Sequence, residues 1–167
     1  MVSKDHLVSP RGEGPSVSLR GLDVVFKVRS EDTGGALAVV EHPIEPKRLV
    51  RPHVHTHEDE ISCVVEGEIG VRIGEREFTA GPGMWVFKPR GVVHTFWNPG
   101  PKPARLIEII TPGAFEHYFE ELAAILAAGV PPDLRRIDEL DRRYGHRIDM
   151  EWVPELTAKH GLKLVGD

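Results

Sequence analysis

The chain has a single cysteine, Cys63, so an internal disulfide is excluded and so are the zinc patterns built on paired cysteines. That cysteine lies in the apolar run Ile61-Ser62-Cys63-Val64-Val65 and reads as a buried structural thiol, since a reactive one needs an exposed electropositive niche. Basic excess is also lacking. Lys and Arg number 21 against 26 Asp and Glu, a formal net charge of -5, which provides no face for nucleic acid. No apolar stretch approaches the ~20 residues of a membrane span, and Met1 to Leu19 contains no apolar signal core. The expectation is a cytoplasmic protein with neither a membrane nor a nucleic-acid partner. Gly81-Pro82-Gly83 has no lysine and no following helix, so it is not a phosphate loop.

Turn residues, by contrast, are plentiful: 17 Gly and 14 Pro fall mainly between short apolar runs. The runs are Leu22–Val28, Ala36–Ile44, Leu49–His55, Ile61–Glu66, Ile69–Ile73, Glu77–Phe78, Met84–Phe87, Val92–Trp97 and Ala104–Ile110. Short strands separated by Gly, Pro, Asn and Asp turns predict an all-β antiparallel sandwich or barrel. Residues 1–18, punctuated and aperiodic, read as a loosely ordered arm, residues 19–112 as the barrel, and residues 113–167 as a helical extension. In the extension, Thr111-Pro112 is expected to open a helix carrying Phe115, Tyr118, Phe119, Leu122 and Leu126 on one stripe. Asp133 caps a second helix bearing Leu134, Ile137, Leu140 and Tyr144, and a third runs from Pro154 to His160. These stripes read as packing faces against the outside of the barrel or a partner subunit.

Two histidine-bearing segments carry the chemistry: His53-Val54-His55-x4-Glu60-x6-Gly67 and Gly83-x5-Pro89-x-Gly91-x2-His94-x3-Asn98. Alternate residues of a strand share a face, so His53 and His55 point one way. Glu60 has the wrong parity for a continuous strand, so Thr56-His57-Glu58-Asp59 must bend to return it to the same interior. From there Ser62 and Val64 face inward, as do His94, Phe96 and Asn98 of the second segment. The predicted cavity therefore holds one divalent transition metal at His53, His55, Glu60 and His94, with Ser62, Val64, Phe96 and Asn98 as lining. Imidazole nitrogen with carboxylate oxygen suits Fe, Mn, Ni, Cu or Zn. His57 is placed at the cavity mouth or behind the ligands. His6, His42, His117, His146 and His160 read as surface or packing residues, and surface placement is expected for Arg51, Arg72, Lys88 and Arg105.

These paired segments resemble the two motifs of the cupin superfamily, over roughly residues 35–112. The second motif matches at Gly83, Pro89, Gly91, His94 and Asn98; the first matches at His53, His55, Glu60 and Gly67 but has Lys47 where the family opens on glycine. The resemblance implies a jelly-roll β-barrel with C-terminal α-helices packed outside, and a metal bound by His53, His55, Glu60 and His94. Thr111 through Glu121 further resembles the helix that follows the barrel in quercetin dioxygenase-like single-domain cupins. The expected function is metal-dependent oxygenation of a small aromatic or enolisable molecule, with Glu60 as ligand and possible base. An isomerase or epimerase of a sugar or keto acid is the rival enzyme, and a small-molecule sensing barrel the rival without catalysis. Homodimerisation is expected because an exposed strand edge needs covering.

Overall fold

The structure, a computed structural model, describes residues 7–167. In chain order the strands are β1 (Ser16–Ser18), β2 (Asp23–Val28), β3 (Ala38–Ile44), β4 (Arg48–Leu49), β5 (His53–His55), β6 (Asp59–Glu66), β7 (Ile69–Ile73), β8 (Arg76–Ala80), β9 (Trp85–Lys88), β10 (His94–Trp97), β11 (Ala104–Thr111), β12 (His146–Ile148) and β13 (Lys163–Leu164). Helices α1 (Glu116–Ala127), α2 (Leu134–Arg143) and α3 (Val153–His160) follow the last long strand. One sheet has the order β1-β2-β3-β11-β6-β9; the other runs β12-β5-β10-β4-β13, with β7 paired to β10 and β8 to β7. Between β5 and β11 the chain crosses repeatedly between the sheets, β6, β9 and β11 lying in the first and β5, β7, β8 and β10 in the second, the jelly-roll arrangement. Val24, Val40, Val64 and Leu106 from the first sheet meet Val71 and Phe96 from the second in one buried cluster.

The expected strands form where the apolar runs lie, with one division. Pro52, which has no N–H to donate, separates β4 from β5 within the run Leu49–His55. The expected bend before Glu60 is present, because β5 ends at His55 and β6 begins at Asp59. Inward parity then places Glu60, Ser62 and Val64 on the buried face of β6. Lys47 occupies the left-handed backbone region at φ 60°, a conformation that glycine adopts more readily, so the turn is made here with a side chain attached. The turn is tied by Lys47 N–H to the Asn98 carbonyl at 3.1 Å and by Lys163 N–H to the Lys47 carbonyl at 2.8 Å.

Three expectations are corrected. Residues 1–6 of the arm lie outside the described residues, but the remainder is not loose. β1 pairs with β2, Gly12 N–H donates to Glu41 Oε2 at 2.9 Å, and Lys27 Nζ donates to the carbonyls of Pro10 and Glu13. Thr111 is the last residue of β11 and not a helix cap; its hydroxyl donates to the Ala36 carbonyl, and a 3-10 turn at Gly113–Phe115 precedes α1. The extension also contributes more than helices. β12 pairs antiparallel with β5, setting His146 opposite His55, and β13 pairs parallel with β4. Leu156 and Leu162 from the α3 region then pack on Leu49 and Trp97 as a second buried cluster. Gly70 makes room for Trp97, since a Cβ there would lie 2.0 Å from the indole. The Asp133 cap of α2 and the ends of α2 and α3 at Gly145 and Gly161 stand where the sequence puts them.

Candidate metal centre

β5 supplies His53 and His55, the start of β6 supplies Glu60, and the start of β10 supplies His94 opposite His53. One ligand atom from each of the four lies within 4.8 Å of the other three, and all four residues are buried. His53 Nδ1–H donates to the Arg51 carbonyl at 2.7 Å and His94 Nδ1–H to the Val92 carbonyl at 3.0 Å. Those bonds aim each Nε2 into the cluster, His94 Nε2 lying 3.2 Å from Glu60 Oε2, where each could serve a metal once unprotonated. His55 Nε2 is buried, 3.2 Å from Glu60 Oε1, and has no aligned hydrogen-bond partner. An orphaned imidazole nitrogen beside two further imidazoles and a carboxylate is what a divalent transition metal would satisfy, so the donor set fits the group.

Behind the four ligands lies a buried ionic chain. Lys88, on the edge strand β9 opposite Glu60, places Nζ 2.8 Å from Glu60 Oε2 and 2.7 Å from Glu108 Oε1. Ser62 donates to Glu108 Oε1 at 2.7 Å, and His42 Nε2 lies 3.9 Å from Glu108 Oε2. Burial alone would raise the Glu60 carboxyl, but the Lys88 ammonium and His55 pull it well below the usual carboxylate range. Burial would lower Lys88, yet Glu108 and Glu60 together raise it. Glu60 is thereby fixed as a carboxylate whose second oxygen is already engaged, which suits a ligand better than the mobile base also expected of it. Burial and the neighbouring imidazoles hold His53 well below its ordinary value. His55 behaves oppositely. Burial opposes its protonation, but Glu60 and Glu58 outweigh it and push the imidazole up to about 9 when no metal competes.

Three of the four ligands, His53, His55 and Glu60, line a cavity of about 90 Å³. Leu19, Leu22 and Phe96 line its barrel side, and Phe115, Phe119 and Leu122 come from the extension. The stripe read as a packing face on α1 is therefore also a cavity wall. Phe96 is the one predicted lining residue found there. Ser62 is turned to Glu108, and Val64 is packed in the core. Asn98 staples a turn, donating to the carbonyls of Ile44 and Lys102 and accepting from Gly100 N–H. His57 is exposed with its ring beside Gly145; the acid behind His55 is Glu58, 3.6 Å from its Nδ1.

Several participants were assigned elsewhere by the sequence. Lys88, expected on the surface, is fully buried; Arg51 lines the cavity. His42 and His146, read as surface or packing residues, line the cavity, whereas His160 lies against Trp97 with ring centroids 5.0 Å apart, and His6 lies outside the described residues. Arg72 and Arg105 pair with Glu155 and Glu41. Cys63 is only half-buried. Inward parity was the available signal for Glu108, which alternates with Leu106 and Ile110, and for Lys88, which alternates with Val86.

Residues 41–110 match the family model for the cupin domain, so this part of the chain is a cupin domain. Solved structures of similar fold include KdgF from a Halomonas species, 18% identical, with TM-score 0.55, covering 62% of this chain and 92% of its own. An RmlC-like cupin from Shewanella frigidimarina is 20% identical, with TM-score 0.55, over 66% of this chain and 95% of its own. The polyketide cyclase RemF from Streptomyces resistomycificus is 23% identical, with TM-score 0.54, over 63% of this chain and 78% of its own. At these identities the likeness is one of fold. Comparison with curated proteins gives no significant match.

Two outcomes follow from the site. A metal must take His55 as neutral imidazole, so binding at pH 7 displaces its proton. Calorimetry in buffers of different ionisation heat should find about one proton released per Zn²⁺ bound, with affinity rising roughly tenfold per pH unit from 7 towards 9. Lys88→Met should leave Glu60 and Glu108 facing each other without a counter-ion and cost the metal-free protein roughly 3–5 kcal/mol, read as a lower melting temperature. Added Zn²⁺ should then raise melting more in that variant than in wild type.

Proposed function

We propose that the chain is a metal-dependent oxygenase of the quercetin dioxygenase-like kind, acting on a small aromatic or enolisable molecule. The observation that carries this reading is the meeting of three imidazoles and one carboxylate with a cavity whose other walls are largely apolar. A redox-active divalent ion in that ligand set would supply open positions for dioxygen and a hydroxy-carbonyl group. The chain's own contribution is arrangement. His53 and His94 are oriented by their backbone acceptors, and Glu60 is pinned by Lys88. Phe115, Phe119 and Leu122 cover the ligand space and restrict water. Arg51 in the cavity wall favours a second reading, isomerisation of an anionic substrate such as a keto acid, in which a metal serves only to polarise a carbonyl.

Metal analysis of protein purified without chelator should give one divalent transition metal per chain, lost in His53→Ala and His94→Ala. Wild type that stays empty after metal supplementation would sink the metal reading. Oxygen-electrode assays over flavonols and small diketones should show uptake matching substrate loss. Turnover without uptake would transfer the assignment to the isomerase, and tight binding without turnover under any metal would make the barrel a sensor.

We also infer a cytoplasmic homodimer. Among the described residues no helix is long and apolar enough to cross a membrane, and the lone thiol suits a reducing compartment. The edge strand β9 presents Trp85 and Phe87 at 63% and 58% exposure, beside unpaired backbone groups that a second β9 could cover with two-fold symmetry. Sedimentation should give a dimer that Trp85→Glu with Phe87→Glu dissociates; a monomeric wild type would overturn the inference.

A further inference from the structure

The cavity wall contains a histidine that the metal centre does not use. His146 is buried on β12, with its ring centroid 4.8 Å from that of His53 and 5.2 Å from that of His55. It is not one of the four residues whose ligand atoms converge, and it lies beyond the segment matched by the cupin family model. Its position comes from the extension: β12 pairs with β5, and α2 ends just before it at Arg143.

The hydrogen bonding of this residue is determined by its neighbours. His146 Nδ1 is 2.7 Å from Asp141 Oδ1, and the Tyr118 hydroxyl donates to the same oxygen at 2.7 Å. A carboxylate only accepts, so Nδ1 carries the proton and Nε2 presents a lone pair. No described residue donates to Nε2, and His146 lines the cavity. Of the nearby donors, His53 and His94 direct Nδ1–H to backbone carbonyls, Lys88 lies between two carboxylates, and the ring nitrogens of His55 lie against the acids Glu60 and Glu58 at 3.2 and 3.6 Å. An acceptor without a partner in an apolar wall favours a ligand that brings a proton.

We propose that His146 reads the ligand: its Nε2 accepts a hydrogen bond from a phenolic or enolic hydroxyl on a molecule held in the apolar space beside the four metal-type residues. This rests on the reading of the cavity as a site for aromatic or enolisable molecules and adds the group that selects among them. Asp141 and Tyr118 act through His146, as positioning residues.

The test uses metal-free full-length protein, so that it does not depend on oxygen chemistry, and two probes, 2-naphthol and 2-methoxynaphthalene. Wild type should bind the naphthol about tenfold more tightly than the ether, the worth of one buried hydrogen bond. His146→Phe should bring the two to near parity while retaining the ether. Long-range ¹H–¹⁵N correlation on wild type should show the Nδ1-protonated tautomer, with Nε2 shifted by the naphthol and unmoved by the ether; this reading survives even if the variant fails to fold. Equal binding of the two probes, no binding of either, a preference that persists in His146→Phe, or an Nε2-protonated ring would each overturn the proposal. Loss of the oxygenase reading alone would leave these results unchanged.

Discussion

Lys88 is the constraint around which the interior is arranged. Two carboxylates, Glu60 and Glu108, lie inside the barrel, and burying either without compensation would cost several kcal/mol, about the magnitude of a domain's whole stability. The ammonium between them, 2.8 and 2.7 Å from their oxygens, makes both placements tolerable. It also connects the sheet edge to the metal centre, because β9 carries Lys88 directly opposite Glu60 in the strand register. Ser62 and His42 complete the surroundings of Glu108. The resulting chain holds Glu60 from behind, so the orientation of the ligand carboxylate is built into the packing of three strands rather than left to a flexible side chain.

The second structural dependence is that the barrel does not finish its own cavity. β5, which bears two of the four ligands, would be a sheet edge without β12, and its pairing with β12 places His146 against His55. α1 then closes the apolar wall with Phe115, Phe119 and Leu122, and Tyr118 turns its hydroxyl to Asp141. The extension acts on two levels at once. It covers an edge that would otherwise invite pairing, and it supplies the side chains by which this cavity differs from the ligand set at its base.

The legible and illegible parts of the site divide along a physical line. Strand parity and the required bend were sufficient to bring His53, His55, Glu60 and His94 together, because local geometry dictates which face each one takes. Parity also held the signal for Glu108 and Lys88, but polarity obscured it. In Trp85-Val86-Phe87-Lys88 the ordinary rule would turn the aromatics inward, and the structure instead exposes both and buries the lysine. The inward charge is accepted because two acids already wait there, a fact no local pattern contains. His146 was unreadable for a related reason: its role depends on β12 returning to β5 across about 90 residues, a non-local pairing. Asn98, in turn, has inward parity but spends its side chain on a turn, so parity alone did not identify lining.

Charge balance links these observations to the kind of ligand the cavity suits. Glu60 and Glu108 contribute two negative charges and Lys88 one positive, while His53 and His146 stay neutral; Arg51 stands with Asp167 3.8 Å away. Glu58 beside His55 and Asp141 beside His146 are buried as well, so with His55 counted neutral as a ligand the set sums to three negative charges before a metal is added and to one with a divalent cation present. In a low-dielectric interior that surplus disfavours an anionic ligand such as a sugar phosphate and accords with one that enters neutral and donates a proton to the acceptor at His146. The proposed phenolic or enolic hydroxyl would meet that condition, whereas a hydrocarbon would fill the apolar wall and leave the acceptor unanswered.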